Sequence, residues 1–173
     1  MPKKGSIHLY TGTGGGKTTA ALGVAMRSLG HGRRVAVVQF MKGRTDIGEF
    51  KIQKLLKNFE VFQFGTKKFI NMKKPSIKDI ELANEALGFA KELMREKSHP
   101  DLLILDEINL AAKIGLIDVE AVMDMLAEAP KDIDIYLTGR FAPKPFEDIA
   151  DYVTDVKDRK RPMKMVAKKG IDF

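Results

Sequence analysis

The run Thr11-Gly12-Thr13-Gly14-Gly15-Gly16-Lys17-Thr18-Thr19 constrains this chain more than any other stretch. A β-prone segment, Ile7-His8-Leu9-Tyr10, leads into it. A helical pattern with Ala20, Ala21, Val24, Ala25 and Leu29 on one side leads out. Strand, glycine loop, Gly-Lys-Thr and helix are the context of a phosphate-binding loop. The glycines let backbone N–H groups turn inward around phosphate oxygens, and the helix N-terminus adds partial positive charge. Lys17 can reach the phosphates, and the Thr18 hydroxyl suits Mg²⁺. Residues 11–19 therefore read as a nucleotide-binding loop. One position departs from the common pattern. A standard loop has glycine five residues before the glycine of Gly-Lys, and this chain has Thr11 there.

Strand and helix signals alternate along the 173 residues, which predicts an α/β fold of P-loop type with a mainly parallel sheet flanked by helices. Strands are expected at 6–11, 35–40, 59–64, 102–106, 134–138, 152–156 and 163–166, the last two at the sheet edge. The apolar run from Val35 to Phe40 marks a strand buried on both faces. Helices are expected over 17–29, 49–56, 108–114, 118–129 and 143–149, and from Ser76 to about Lys97. Gly30-His31-Gly32 stops the first of these, and Ser76-Ile77-Lys78-Asp79 is a capping box. Residues 65–75 read as a lysine-rich loop. No repeat, low-complexity segment or linker divides the chain, so residues 1–173 are expected to form a single domain.

Leu102-Leu103-Ile104-Leu105-Asp106-Glu107 puts two acids at the carboxyl end of a buried strand, where open α/β sheets bind ligands. A carboxylate there orients Mg²⁺, directly or through water. Thr138-Gly139-Arg140 ends another central strand. Arg140 is either a contact for phosphate or a developing anion, or an exposed residue in a turn. The stretch from Val38 to Gly43, with Gln39 and Lys42, either shapes a pocket or is simply a loop.

Composition narrows the function classes. Cysteine is absent, which excludes disulfides, thiolate metal sites and cysteine nucleophiles. His8, His31 and His99 are scattered, and none stands at ligand spacing. No apolar run approaches the ~20 residues of a membrane span. Met-Pro-Lys-Lys followed directly by the first strand leaves no room for a signal peptide, so a cytoplasmic location is expected. The net charge of +7 suits a polyphosphate ligand as well as nucleic acid. Lys67 to Lys74, Lys157 to Lys164 and Lys168-Lys169 read first as solvated surface, with a substrate lid and a nucleic-acid face as the other readings. They lack the interleaved aromatics of a nucleic-acid stacking surface.

Together these pieces resemble one family, the ATP:cob(I)alamin (corrinoid) adenosyltransferases of the CobA/BtuR type. The resembling segments are Thr11 to Thr18, Gly30 to Gly32, Val37 to Gly43, Gly48-Glu49, Leu105 to Ile108, Leu137 to Arg140, Ala142-Pro143, Ala150-Asp151, Val153-Thr154 and Lys169 to Phe173. They stand in family order over nearly the whole chain. The family's loop also begins with threonine, which accounts for Thr11.

The resemblance implies a RecA-like fold and an unusual use of ATP. Co(I) of a reduced corrinoid attacks the ribose 5′ carbon, the adenosyl group moves to cobalt, and triphosphate leaves. The corrinoid supplies the hard chemistry, while the protein aligns the partners and stabilises the leaving anion. No general base is implied, because Co(I) is already a strong nucleophile. By the same resemblance Lys17, Thr18, Glu107 and Arg140 are catalytic and residues 11–19 bind ATP. Thr18, Asp106 and Glu107 hold Mg²⁺, with Glu107 the closer acid. Gln39, Lys42, Glu49, Phe69 and Asn109 meet the corrinoid.

A homodimer, and an electron donor such as a flavoprotein reductase, are implied as partners, and neither nucleic acid nor membrane is. The corrinoid is either cob(I)alamin or the precursor cob(I)yrinic acid a,c-diamide, in adenosylcobalamin biosynthesis or salvage. Family members carry Gly-Phe-x-Trp after the third strand, which helps exclude the lower axial ligand of cobalt. This chain has no tryptophan. Its corresponding stretch runs from Gly65 to Asn71, with Phe69 for one aromatic and Ile70 or Asn71 near the missing Trp. A P-loop kinase or hydrolase acting on the γ-phosphate is the rival enzyme reading, and a RecA-like nucleic-acid module the non-enzymatic one.

Overall fold

A computed structural model describes residues 4–68, 70–164 and 166–171. The expected strand–helix alternation is present as β1 (Ile7–Thr11), α1 (Lys17–Gly30), β2 (Val35–Phe40), α2 (Gly48–Ile52), β3 (Phe59–Phe64), α3 (Ile77–Arg95), β4 (Leu102–Asp106), α4 (Ile108–Lys113), α5 (Val119–Ala127), β5 (Asp134–Thr138), α6 (Lys144–Ile149) and β6 (Tyr152–Asp155). The six strands form one sheet in the order β3-β2-β4-β5-β1-β6. Every pairing is parallel. All carboxyl ends therefore lie along one edge, and the loops that follow β1, β2, β4 and β5 meet there. This is the P-loop type of fold the sequence predicts, with β5 inserted between the loop strand β1 and the acid-bearing strand β4.

The apolar strands alternate although their sequences do not. Leu103 and Leu105 pack with Ala83, Leu87 and Ala90 of α3 and with residues of α4, α5 and α6 on one face. Leu102 and Ile104 pack with Ala21 and Ala25 of α1 on the other. Burying one such leucine fully contributes roughly 2–3 kcal/mol. Alanines at the α1 contact let that helix lie close to the sheet, which holds the glycine loop against the carboxyl ends of the strands.

Local signals set most boundaries. Ser76 and Asp79 form both halves of the capping box, with Asp79 N–H donating to Ser76 Oγ at 3.2 Å and Ser76 N–H to Asp79 Oδ2 at 2.9 Å. Helix α2 ends at Ile52 rather than near residue 56. The Gln53 side chain turns away there, donating to Phe50 O at 2.8 Å and accepting from Val61 N–H at 3.0 Å, which ties the helix end to β3.

The strand expected at 163–166 is a correction. Met163, Lys164 and Val166 lie in no strand, and Met165 is outside the described residues. Met163 and Val166 are exposed. Pro162 has no N–H to pair, and the cations before it turn to local acids, Lys157 to Asp155 at 2.7 Å and Arg161 to Asp158, in place of a strand partner. No helix among the described residues is long and apolar enough to cross a membrane.

Candidate active site

Each element of the site begins at the end of a strand. After β1 the chain turns through the glycine loop, and Gly16 (φ 94°) caps α1 in the left-handed region that glycine enters without strain. The loop is held from outside by residues that follow β6. Gly14 N–H donates to Val156 O at 2.8 Å, and Gly15 N–H donates to Asp158 Oδ1 at 3.1 Å. A side chain at Gly14 would meet Val156 O and Asp158 N at 2.9 Å, so glycine is needed there for close approach. Lys17 is buried and donates to Gly12 O at 2.9 Å and Gly14 O at 2.6 Å. Burial pushes its ammonium pKa below the ordinary lysine value.

Asp106, at the end of β4, is the hub. It is fully buried. Thr18 Oγ1 and Thr138 Oγ1 each donate to its Oδ1 at 2.7 Å. Gln39 Nε2 donates to its Oδ2 at 3.1 Å and Lys42 Nζ at 2.6 Å. Burial alone would raise the carboxyl pKa. The Lys42 charge and the hydroxyl hydrogen bonds outweigh burial and hold it below the usual range, so Asp106 stays ionised. Lys42 is raised in return, its own burial being outweighed by Asp106. Gln39 also reaches Glu49 Oε1 at 3.3 Å, and Gln63 Nε2 donates to Gln39 Oε1 at 2.9 Å.

Glu107 sits beyond Asp106 with φ 67°, a left-handed conformation that strains a residue bearing Cβ. Its N–H donates to Thr138 Oγ1 at 3.1 Å, which fixes the turn. Burial, then the neighbouring Asp106 charge, raises its pKa above the ordinary glutamate value. Met41 (φ 59°) after β2 and Phe141 (φ 56°) after β5 share this strained conformation. Of the four such non-glycine residues described, three follow strands that border the site, as strain held for function does.

These loops enclose a cavity of about 500 Å³. Its polar end is lined by the loop from Gly14 to Thr19 and by Lys42, Glu49, Glu107 and Arg140. Its apolar end is lined by Leu22, Met26 and Leu29 of α1 with Ile52, Leu56 and Phe59. Gly170 and Ile171 line it as well. The Arg140 side chain is exposed and makes no hydrogen bond or ion pair among the described residues. The geometry joins the glycine loop to both acids and Arg140. It puts Lys42 and Glu49 on the cavity wall.

Gln39, Asp106 and Asn109 lie behind that wall, each fully buried. Asn109 donates through Nδ2 to Tyr10 O at 3.1 Å and Gly139 O at 3.2 Å. Thr11, Gly12 and Thr13 do not line the cavity. Phe69 lies outside the described residues. Beside it, Asn71 accepts from Lys73 and Lys74 N–H at 3.1 and 3.3 Å within its own turn. Sequence reasoning missed Thr138 and Gln63, and also Asp158. Thr138 carries a usable signal, a hydroxyl on the last residue of a central strand next to Gly139-Arg140. Gln63 and Asp158 carry none, because only the folded sheet brings them to the site.

A parallel sheet with a Gly-Lys-Thr loop, a buried strand-end carboxylate on its threonine and a shared cavity define a P-loop nucleotide-binding protein. Comparison with known proteins goes further. The model of the family ATP:corrinoid adenosyltransferase BtuR/CobO/CobP matches residues 3–173, and the chain belongs to that family. A corrinoid adenosyltransferase of Sinorhizobium sp. is 37% identical over 99% of this chain and 81% of its own. One from Escherichia coli K12 is 33% identical over 99% and 87%. The Salmonella typhimurium corrinoid adenosyltransferase CobA is 31% identical over the same shares. Among solved structures, the flagellar accessory protein FlaH from Methanocaldococcus jannaschii matches with a TM-score of 0.55 over 88% of this chain and 71% of that one. At 16% identity that likeness is one of fold.

Proposed function

We propose that this enzyme transfers the 5′-deoxyadenosyl group of ATP to the Co(I) of a corrinoid and releases triphosphate. The observation that carries the reading is the charge pattern of the cavity. Lys17 and Arg140, with the loop from Gly14 to Thr18, line its polar end and suit a polyanion that gains charge as it leaves. The electron pair of Co(I) forms the cobalt–carbon bond at C5′. The C5′–O bond to the α-phosphate breaks, and its electrons leave with triphosphate. No proton moves at the reacting atoms. The glycine-loop amides and Lys17 grip the leaving group, and Arg140 meets its charge.

The donor set fits Mg²⁺. Thr18 Oγ1 and Asp106 Oδ1 stand 2.7 Å apart, and Glu107 lines the same cavity. These are hard oxygen donors of the kind that ion shares with substrate phosphates. Thr18, Asp106 and Glu107 would hold it, and it would neutralise phosphate charge. Lys42 and Glu49, on the wall, are the residues we assign to the corrinoid. Gln39 supports them from behind through Glu49 and Asp106. Asn109, buried on backbone carbonyls, acts on the frame of the site. On the family's pattern we take the working form as a cytoplasmic homodimer of this one domain, fed Co(I) by an electron donor such as a flavoprotein reductase.

The test is an anaerobic assay with ATP, Mg²⁺ and chemically reduced cob(I)alamin, following the corrinoid spectrum and identifying the phosphate product. A light-sensitive adenosylated corrinoid with stoichiometric triphosphate supports the reading. An unchanged corrinoid with ADP and phosphate overturns it in favour of γ-phosphate chemistry. Running cob(I)yrinic acid a,c-diamide beside cob(I)alamin ranks the natural substrates.

A further inference from the structure

Thr11 departs from the standard glycine, and its side chain is occupied. Thr11 is buried, and its Oγ1 accepts a hydrogen bond from Ala142 N–H at 3.2 Å. One residue earlier, Tyr10 O accepts from Asn109 Nδ2, whose other hydrogen goes to Gly139 O. The turn from Gly139 to Ala142, which carries Arg140, is thus tied at both ends to the root of the glycine loop. Gly139 is held through Asn109 to Tyr10, and Ala142 is held directly to Thr11.

Three further observations mark these ties as more than packing. Phe141, between them, has φ 56°, a conformation that costs a residue with Cβ on the order of 1 kcal/mol and persists only where its surroundings fix it. Gly139 has φ 133°, and a Cβ there would come 3.0 Å from Asn109 Cβ and Leu110 N, so the turn is seated tightly on α4. Asn109 Oδ1 is buried without a hydrogen-bond partner. The amide is oriented by the two carbonyls, and an unpaired buried acceptor is tolerated to keep that orientation.

We propose that Thr11 is a positioning residue which, together with Asn109, aims Arg140 at the triphosphate. The threonine replaces glycine because its hydroxyl locks the Arg140 turn to the loop that grips the same anion. A glycine would offer no acceptor, and Ala142 N–H would lose its partner. Arg140 is long and otherwise unrestrained among the described residues, so a small shift of its turn carries the guanidinium out of line. The inference rests on the role proposed above for Arg140.

A double-mutant cycle tests it, with kcat, KM for ATP, KM for corrinoid and the thermal midpoint measured for each variant. Thr11→Val removes the hydroxyl at nearly constant shape. We expect it to lower kcat about 10-fold, to leave corrinoid KM unchanged, and to be largely rescued by Thr11→Ser. In an Arg140→Ala background the same Thr11→Val change adds less than about 2-fold, because its effect runs through the missing guanidinium. An equal loss in both backgrounds overturns the inference and leaves the role of Arg140 standing. A silent Arg140→Ala overturns both. If Thr11→Val does not fold, Thr11→Gly enters the cycle with the same expected pattern.

Discussion

At the amino edge of the sheet, Asp134 opens β5 and accepts from Ser6 N–H and Ser6 Oγ, both at 3.1 Å, while pairing with Arg33 at 2.8 Å. Its neighbour Asp101 accepts from Arg34 N–H at 2.9 Å, and Asp151 from Ile7 N–H at 2.8 Å. At the carboxyl edge, Asp106 closes β4 with four side-chain partners and, among the described residues, no backbone one on its carboxylate. Both edges carry acids at strand ends, fully buried at Asp106 but half-buried at Asp134 and Asp101 and exposed at Asp151, and with different partners. A backbone amide at a strand start cannot leave without undoing the strand, so the amino-edge acids act as stitches. Thr18, Lys42, Gln39 and Thr138 hold Asp106 through side chains, which are not bound into a strand ladder, and Thr18 and Lys42 border a cavity. The carboxyl-edge acid can therefore exchange its partners for a ligand or a cation. Strand-end acids are told apart by what they hold.

The strongest way to break this comparison is to neutralise each hub in turn. Asp106→Asn keeps the volume but cannot accept four hydrogen bonds. Turnover should fall on the order of 10²–10³-fold, with the far-ultraviolet spectrum unchanged. Activity within about 3-fold of the parent, where this kind of interaction normally counts for more, would make Asp106 a stitch like the others. Asp134→Ala should do the reverse. It takes one partner from Arg33, which keeps Asp101, and leaves Ser6 N–H unpaired, so urea unfolding should show a loss of about 1–2 kcal/mol. The kcat/KM of the folded protein should hold. A large kinetic loss there would mean the two edges are coupled.

A subtler variant sharpens the contrast within one edge. Glu107 is half-buried beside Asp106 in a strained turn, with its pKa pushed up by burial and by that neighbour. Glu107→Gln removes the repelled charge and keeps the shape. Stability at neutral pH should rise by about 1 kcal/mol while turnover falls, the usual trade at a working site. Thermal midpoint and kcat measured on one sample decide it. A variant that is both less stable and less active would make Glu107 structural.

How much of this was legible in the sequence follows from the same contrast. The glycine loop, Asp106-Glu107 and Arg140 announce themselves because each sits next to a strand signal, and strand signals are local. Their neighbours at the hub are not local. Thr138 and Gln63 reach the network only because β5 and β3 flank β4 and β2 in the sheet, an order that no single stretch encodes. Val156 and Asp158 cover the glycine loop because β6 pairs with β1. The segment at 163–166 shows the opposite error, since Met163 and Val166 are apolar enough to read as strand residues but lie exposed in none. Family order assigns Gln39 and Asn109 to the corrinoid. Family order gives the position along the chain, while burial depends on the packed sheet.

The smallest effect concerns the far side of the amino edge. His8 on β1 stacks between Tyr136 and Tyr152, with ring centroids at 4.3 and 4.5 Å, and its Nε2 lies 3.0 Å from Ser6 Oγ. Burial lowers its pKa, and Asp134 and Asp151 only partly oppose that. The folded protein therefore holds His8 neutral at pH values where the unfolded chain, at the ordinary 6.5, takes up a proton. This contribution is complete above the ordinary value and is lost as pH falls through it toward the folded pKa. His8→Phe keeps a stacking ring and removes the titration. The thermal midpoint of the parent should drop more than that of the variant between pH 7.5 and 5.5, a window set by the ordinary value and the downward shift. The gap should be smaller than the Asp134→Ala loss, because only one partly buried ring titrates. Parallel profiles would mean that the stack tolerates the imidazolium. Asp134 and Asp151 would then hold the imidazolium as Asp134 already holds Arg33 and as Asp106 holds Lys42 at the other edge.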